Sequence, residues 1–308
     1  MESTSGGIAG ALIVGAGAIG TAVAGTIADH DPAAVSILAT GERFARYRGE
    51  GFILNGVRMD FPLASPPQCG DADLIIVAVK NHHLEEAIRE MQPVVGPHTL
   101  IISLLNGISS EDSLGAAFGR EKVLYAMILG IDAVREANAT RFSTGGVIHF
   151  GDAHNQEGAW SPRVSRIASF FSRVGVAFNV PSDMVRSLWY KFMINVGINQ
   201  VSTIISGTYG LFQKDTHAQS VMEAAMAEVV AVSRAAGTGL EDADIKAWYK
   251  TLRTLAPEGK TSMLQDVEAG RETEVEAFAG TIIRLGRETG TPVPVNQTLY
   301  WLLKAKSP

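Results

Sequence analysis

Along roughly the first 180 residues, short uninterrupted apolar runs alternate with stretches of helical spacing. Ala11-Leu12-Ile13-Val14, Val35-Ser36-Ile37-Leu38 and the runs at 74–79 and 99–104 are apolar apart from Ser36, Thr99 and Ser103, as expected of strands buried on both faces of a parallel sheet. Helical spacing over 18–29, 42–49 and 84–91 falls between them, the βαβ pattern of a sheet covered by helices. Residues 52–59 read as a hairpin turning at Asn55-Gly56, a pair suited to positive φ. Strand character returns at 123–130, 146–150 and 176–180, with a helix predicted over 162–174. After Pro181 the texture changes to long segments of helical period at 183–205, 217–236, 242–255, 274–289 and 296–304. Gly237-Thr238-Gly239 and Gly290-Thr291-Pro292 supply helix stops. The pattern predicts an α/β domain over 1–181 and an all-α domain over 182–308.

Composition narrows the class. With 46% hydrophobic and 19% charged residues the chain is not disordered. A formal charge of −6, from 26 Lys and Arg against 32 Asp and Glu, excludes a non-specific nucleic-acid binder. It also means that an anionic substrate must be drawn in by local donors. Residues 8–28 hold no charge and are as long as a membrane span. They are mostly Gly, Ala and Thr, however, and no Lys or Arg precedes Arg43, so neither a span nor an export signal is expected. A lone cysteine, Cys69, fits a reducing cytoplasm. The seven histidines lack metal-ligand spacing, and no metal site is expected.

Between the first predicted strand and helix lies Gly15-Ala16-Gly17-Ala18-Ile19-Gly20, a G-x-G-x-x-G. In that setting the glycines give a tight turn, room for a pyrophosphate and close helix–strand contact, while the helix N-terminus offers N–H groups to phosphates. A dinucleotide is therefore the expected ligand. The second strand runs into Ala39-Thr40-Gly41-Glu42-Arg43. Thr40 can bond a 2′-phosphate and Arg43 or Arg46 neutralise it, which points to NADPH; Glu42 serving a ribose 2′-OH is the NADH alternative.

The segment from Ser182 to Asn199 is the most informative. Ser182 is placed as N-cap, and Lys191, Asn195 and Asn199 recur at i, i+4 and i+8 on one face, with Phe192, Met193, Ile194, Val196 and Ile198 between them. Burying such polar groups unpaired costs ~2–7 kcal/mol each, so they need partners, either an internal network or a polar ligand. Hydride delivery to a ketone leaves a developing alkoxide that needs a proton. A desolvated lysine of lowered pKa suits that task, and carboxamides can hold a carboxylate without adding charge.

These residues resemble the 2-dehydropantoate 2-reductase (ketopantoate reductase) family over nearly the whole chain. The resemblance is carried by Gly15-Ala16-Gly17-Ala18-Ile19-Gly20, Val79-Lys80, Leu105-Asn106-Gly107, Trp189-Tyr190-Lys191 with Asn195 and Asn199, Ser262-Met263-Leu264-Gln265-Asp266 and Gly270-Arg271-Glu272-Thr273-Glu274-Val275. It implies a Rossmann-type domain followed by an all-α domain like the C-terminal domain of phosphogluconate dehydrogenases. It further implies NADPH-dependent reduction of ketopantoate to pantoate in pantothenate biosynthesis, and a homodimer. By the same resemblance Lys191 is the general acid and Glu274 its acidic partner. Asn195, Asn199 and Ser262 bind substrate, and Asn106 and Lys80 line the nicotinamide and substrate end. Thr273 with Glu276 has the form of a capping box, placing Glu274 in a helix's first turn. Two departures stand out: Thr40 replaces a common Arg, and Gln200 replaces a common Pro. The expected partner is a small 2-oxo acid, not nucleic acid or membrane. Reduction of another 2-oxo acid or dehydrogenation of a β-hydroxy acid, and a non-catalytic cofactor sensor, are the alternative readings.

Overall fold

The computed structural model describes residues 6–66 and 69–306. Its contacts divide the chain into two units, Met1–Leu105 with Ser110–Met184, and Asn106–Ser109 with Val185–Pro308.

The first unit is built on β1 (Ala11–Val14), α1 (Ala18–His30), β2 (Val35–Leu38), α2 (Gly41–Glu50), β3 (Phe52–Leu54), β4 (Val57–Met59), β5 (Leu63–Ala64), β6 (Leu74–Val77), α3 (Leu84–Met91), β7 (Leu100–Ser103), α4 (Ser110–Phe118), β8 (Val123–Ile131), β9 (Val134–Glu136), β10 (Ala139–Arg141), β11 (Gly145–Gly151), α5 (Pro162–Arg173) and β12 (Phe178–Asn179). Eight strands form one sheet in the order β12-β11-β8-β7-β6-β1-β2-β5. β5, β2, β1, β6, β7 and β8 run parallel, and β11 is antiparallel to β8. The uninterrupted apolar runs explain this sheet: Ile13, Ile37, Ile75, Ile76, Ile101 and Ile102 have no exposed surface. Because β1 neighbours both β2 and β6, the strand order reverses at β1/β6, the point at which open α/β sheets bind ligands.

A second sheet, β4-β3-β10-β9, contains the expected hairpin, with Asn55 at φ 49° and Gly56 at φ 86°. Its partners β9 and β10, along with α4, were not expected from the sequence. In α4, Leu114 is the one buried hydrophobic side chain, so no apolar stripe announces the helix.

The second unit is helical: α6 (Met184–Ile194), a π turn (Asn195–Asn199), α7 (Gln200–Ile205), α8 (Tyr209–Lys214), α9 (Thr216–Ala236), α10 (Asp242–Leu252), α11 (Ser262–Glu268), a second π turn (Glu276–Gly280), α12 (Thr281–Thr289) and α13 (Pro294–Lys306). Met222, Met226, Val229 and Val230 of α9 are fully buried at its core. The predicted stops hold, with Gly237 at φ 71° and Gly290 at φ 68°. Two caps differ from expectation. α6 starts at Met184, and the Ser182 carbonyl accepts from the Asn155 N–H at 2.8 Å, while Asp183 forms a bridge with His154. Ser182 therefore lies before the N-cap position. Glu276 does not close a box with Thr273: its carboxylate accepts from the Tyr300 hydroxyl at 2.8 Å and from Lys304 at 3.2 Å. Among the described residues, no helix is long and apolar enough to cross a membrane.

Candidate active site

In the first unit the glycine-rich turn joins β1 to α1, and its three glycines differ in what surrounds them. Gly15 has φ +103°, and a Cβ there would lie 2.7 Å from the Ala78 carbonyl carbon and the Val79 nitrogen, in the loop after β6. A Cβ on Gly20 would lie 2.0 Å from the Gly15 carbonyl oxygen, so the helix meets its own turn. Gly17 is different, since its Cβ would find nothing nearer than the Ala78 oxygen at 3.8 Å. The protein does not require glycine there, and the bare backbone leaves room for whatever approaches from outside. Thr21 fixes the turn by donating to the Gly17 carbonyl at 2.6 Å. No side chain caps α1, and its first turn carries no acid, which leaves its leading N–H groups and positive end to a phosphate. Ala16 is buried, whereas Ala18 and Ile19 are half-buried. This cradle fits the pyrophosphate of a dinucleotide.

Lys80 is half-buried three residues past the end of β6, with its carbonyl accepting from the His83 N–H at 2.9 Å. It sits in a loop, because the strand stops at Val77, short of the end of the apolar run at 79. Thr40 and Arg43 stand at the start of α2, and both bond Glu90 of α3.

The second unit gathers the polar helix face. α6, the π turn and α7 run on as one helix, with right-handed helical backbone through both joins. A straight α-helix overshoots by ~40° at each i, i+4 step, so the expected face would drift. A π turn places one extra residue in a turn and takes back that overshoot. Lys191, Asn195 and Asn199 thereby come closer to a single line than spacing alone allows. Lys191 and Asn195 are half-buried and Asn199 is 6% exposed, a gradient where the sequence had suggested uniform burial. Among the described residues, the Asn195 and Asn199 carboxamides make no hydrogen bond to another residue, so both keep their donors for a ligand. Gly197, inside the π turn, lets α9 approach: its Cβ would lie 2.5 Å from Met226 Cγ.

Glu274 precedes the second π turn and is 4% exposed. Its Oε2 accepts from Asn106 Nδ2 at 3.0 Å. The segment carrying Asn106 belongs to this unit, with Ile108 packed on the helical core and the Cβ position of Gly107 (φ +100°) 3.5 Å from the Ala277 oxygen. The chain thus brings Asn106 and Glu274 together across 168 positions, and the two π turns pack against each other.

Two further positions, Ser262 and Gln200, lie apart from this polar face. Ser262 is exposed on the first turn of α11, and the cap is Thr261, whose hydroxyl accepts from the Leu264 N–H at 3.3 Å. Gln200 is fully buried and donates to the Val196 carbonyl at 2.7 Å and to Asn296 Oδ1 at 3.1 Å. Asn296 is held in turn by Glu228, which accepts from its backbone N–H and its amide. Gln200 belongs to that structural network, not to the face of Lys191.

Sequence reasoning missed Glu90, the partner of Thr40 and Arg43. Nothing in its helix marks it beyond an ordinary acid at a C-terminal turn.

Known proteins resemble the chain along nearly its full length. The ketopantoate reductase PanE/ApbA model matches residues 11–155, and the model of that family's C-terminal domain matches 183–307. The 2-dehydropantoate 2-reductase of Halobacterium salinarum is 27% identical over 300 residues, covering 95% of this chain and 97% of that protein. That of Aquifex aeolicus is 26% identical over 306 residues, covering 96% of each. Among solved structures, D-mandelate dehydrogenase with NADH and anilino(oxo)acetate superposes with a TM-score of 0.85 at 21% identity, over 96% of this chain and 98% of that one. The 2-dehydropantoate 2-reductase from Geobacter metallireducens gives 0.84 at 23%, over 96% and 99%. A glycine cradle at the switch point of a parallel sheet, an aligned lysine–asparagine face on a helix and two family models in series lead to one assignment: the chain is an oxidoreductase belonging to the ketopantoate reductase family.

Proposed function

We propose that the chain reduces 2-dehydropantoate to pantoate with a reduced nicotinamide nucleotide. In this reading residues 1–181 hold the nucleotide and 182–308 hold the substrate and supply the proton. The observation that carries it is the polar face of the second unit, where the Asn195 and Asn199 carboxamides, which bond no other described side chain, line up with the Lys191 ammonium beside apolar neighbours. Gly15, Ala16, Gly17, Ala18, Ile19 and Gly20 would hold the pyrophosphate, with Lys80 and Asn106 toward the nicotinamide. When bound, that group supplies the hydride.

The rest is the work of the chain. Asn195 and Asn199 donate to the substrate's carboxylate and oxo oxygen, which orients the carbonyl without adding charge. Lys191 Nζ donates to the oxo oxygen and hands over a proton as the alkoxide develops. Glu274, its Oε2 held by Asn106 Nδ2, serves in this reading as the acidic partner of Lys191 in substrate binding and turnover. Ser262, exposed on α11, is a further substrate-binding hydroxyl in this reading. The sequence leaned to NADPH through Thr40 and Arg43, and the choice between NADPH and NADH turns on what surrounds those two residues. A homodimer in a reducing cytoplasm completes the reading.

The test is nucleotide oxidation, followed by absorbance, with ketopantoate and a panel of branched, aromatic and unbranched 2-oxo acids. The expected result is a kcat/KM for ketopantoate at least about tenfold above the others, the discrimination that one or two apolar groups in a pocket provide. Turnover of an aromatic 2-oxo acid with none of ketopantoate would move the substrate but keep the chemistry. No turnover of any would end the reading.

A further inference from the structure

The residues at the end of β2 face an acid that changes what they can do. Thr40 is the N-cap residue of α2, yet its hydroxyl does not cap that helix. It donates instead to Glu90 Oε1 at 2.6 Å. The Arg43 guanidinium pairs with the same oxygen, and with Glu86 at 3.6 Å. Glu90 is well covered, its side chain 16% exposed against 36% for Arg43. The other candidate cation, Arg46, lies over the Tyr47 ring at 5.4 Å. Thr40 and Arg43, two of the three donors from which the sequence inferred a phosphate site, are therefore already engaged by a carboxylate. With Glu86 beside it, the cluster of Arg43, Glu90 and Glu86 carries a net negative charge.

The end of the second strand is where such folds read the adenosine ribose. A ribose 2′-hydroxyl can donate to a carboxylate. A 2′-phosphate brings about two negative charges at neutral pH and accepts only. To enter, it must displace Glu90 from Arg43 or lie beside it as a like charge, and discrimination by an opposed charge is the usual means of rejecting a near-identical ligand. We propose that Glu90 makes this chain select NADH over NADPH, acting from α3 and not from the strand end where such an acid is usually sought. The proposal reverses the sequence expectation and rests on the reading that the glycine turn binds a nicotinamide nucleotide.

Titration of the intact protein with NADH and with NADPH, without substrate and followed by nucleotide fluorescence, tests it. The wild type should bind NADH about tenfold or more tightly than NADPH. Glu90→Gln keeps the shape and removes the charge, and should bring the two dissociation constants within about threefold of each other, chiefly by tightening NADPH. A wild type that binds both equally, or a folded Glu90→Gln with the wild-type ratio, overturns the proposal. Should the variant fail to fold, the wild type titrated with ADP and with adenosine 2′,5′-bisphosphate decides it, equal affinities being the refuting result. Binding of both nucleotides without discrimination sinks Glu90 alone, whereas binding of neither sinks the nucleotide site with it.

Discussion

The two units make their candidate binding surfaces from different materials. In the first, the turn after β1 works through what is absent: two of its glycines admit backbone at distances no side chain allows, and the third leaves open space. In the second, Lys191, Asn195 and Asn199 work through what is present, three polar side chains brought into line by a π turn. A surface of bare backbone fails when an atom is added, and one of side chains fails when atoms are removed. This asymmetry predicts which substitutions damage folding and which damage only chemistry.

The largest effect belongs to the backbone surface. A Cβ at Gly20 would meet the Gly15 carbonyl oxygen at 2.0 Å, and neither atom lies at the end of a flexible side chain. Gly20→Ala should cost about 3 kcal/mol or more in urea unfolding, at the severe end of overpacking. Nucleotide titration should show binding lost with it. Lys191→Ala comes next and should behave in the opposite manner. Loss of a positioned proton donor lowers kcat by about 100-fold or more, ~2.7 kcal/mol of barrier. Its unfolding midpoint and its nucleotide dissociation constant should stay near wild type. A kcat within about threefold of wild type would remove the general-acid role.

The same asymmetry governs what could be read in the sequence. The parallel sheet and its glycine turn were legible because burial on both faces writes itself as uninterrupted apolar runs, and because a turn needing φ +103° at Gly15 leaves few residue choices. The Asn55-Gly56 hairpin was legible for the same reason. The polar face was legible only as a spacing. That a π turn occupies Asn195–Asn199 is written in no residue type, although Gly197 inside it marks a close approach of α9. α8 and α11, of six and seven residues, are too short to show a period. Pairings across long separations, Asn106 with Glu274 and Thr40 with Glu90, were beyond reach because each joins residues whose neighbours in sequence say nothing of the other.

A third prediction sharpens the contrast within the first unit, which also buries a charge-bearing side chain. Glu111 is 2% exposed, receiving the Ser110 hydroxyl at 3.0 Å and, at 3.4 Å, the Ala126 N–H. Burial, only partly offset by these bonds, pushes its carboxyl up to about 7. A carboxyl raised on folding favours the folded state most below its unfolded value and withdraws that support as pH climbs through the folded one. Stability should therefore fall by roughly 2–3 kcal/mol between pH 5 and pH 9, measured as urea midpoints along the series. Glu111→Gln should flatten that slope, and an unchanged slope would assign it to other groups.

The smallest effect probes whether the π turn is set by its packing. A Cβ on Gly197 would lie 2.5 Å from Met226 Cγ and 2.6 Å from its Cε, atoms of a flexible side chain, but 3.2 Å from the Met222 carbonyl, which cannot rotate away. Met226 has no exposed surface, so its chain must find room within a close-packed core. Alanine also favours a helix over glycine by up to about 1 kcal/mol, which offsets part of the overpacking. Gly197→Ala should thus lower stability by only about 1 kcal/mol, less than any change above. Its signature lies in the kinetics: pushing α9 off the turn rotates Asn195 and Asn199 relative to Lys191, loosening substrate binding more than proton transfer. KM should rise a few-fold while kcat stays within about twofold, the split that separates lost binding from lost transition-state contact. If KM and the unfolding midpoint both hold at wild-type values, the register of the polar face owes nothing to Gly197 and must be fixed by the helix itself.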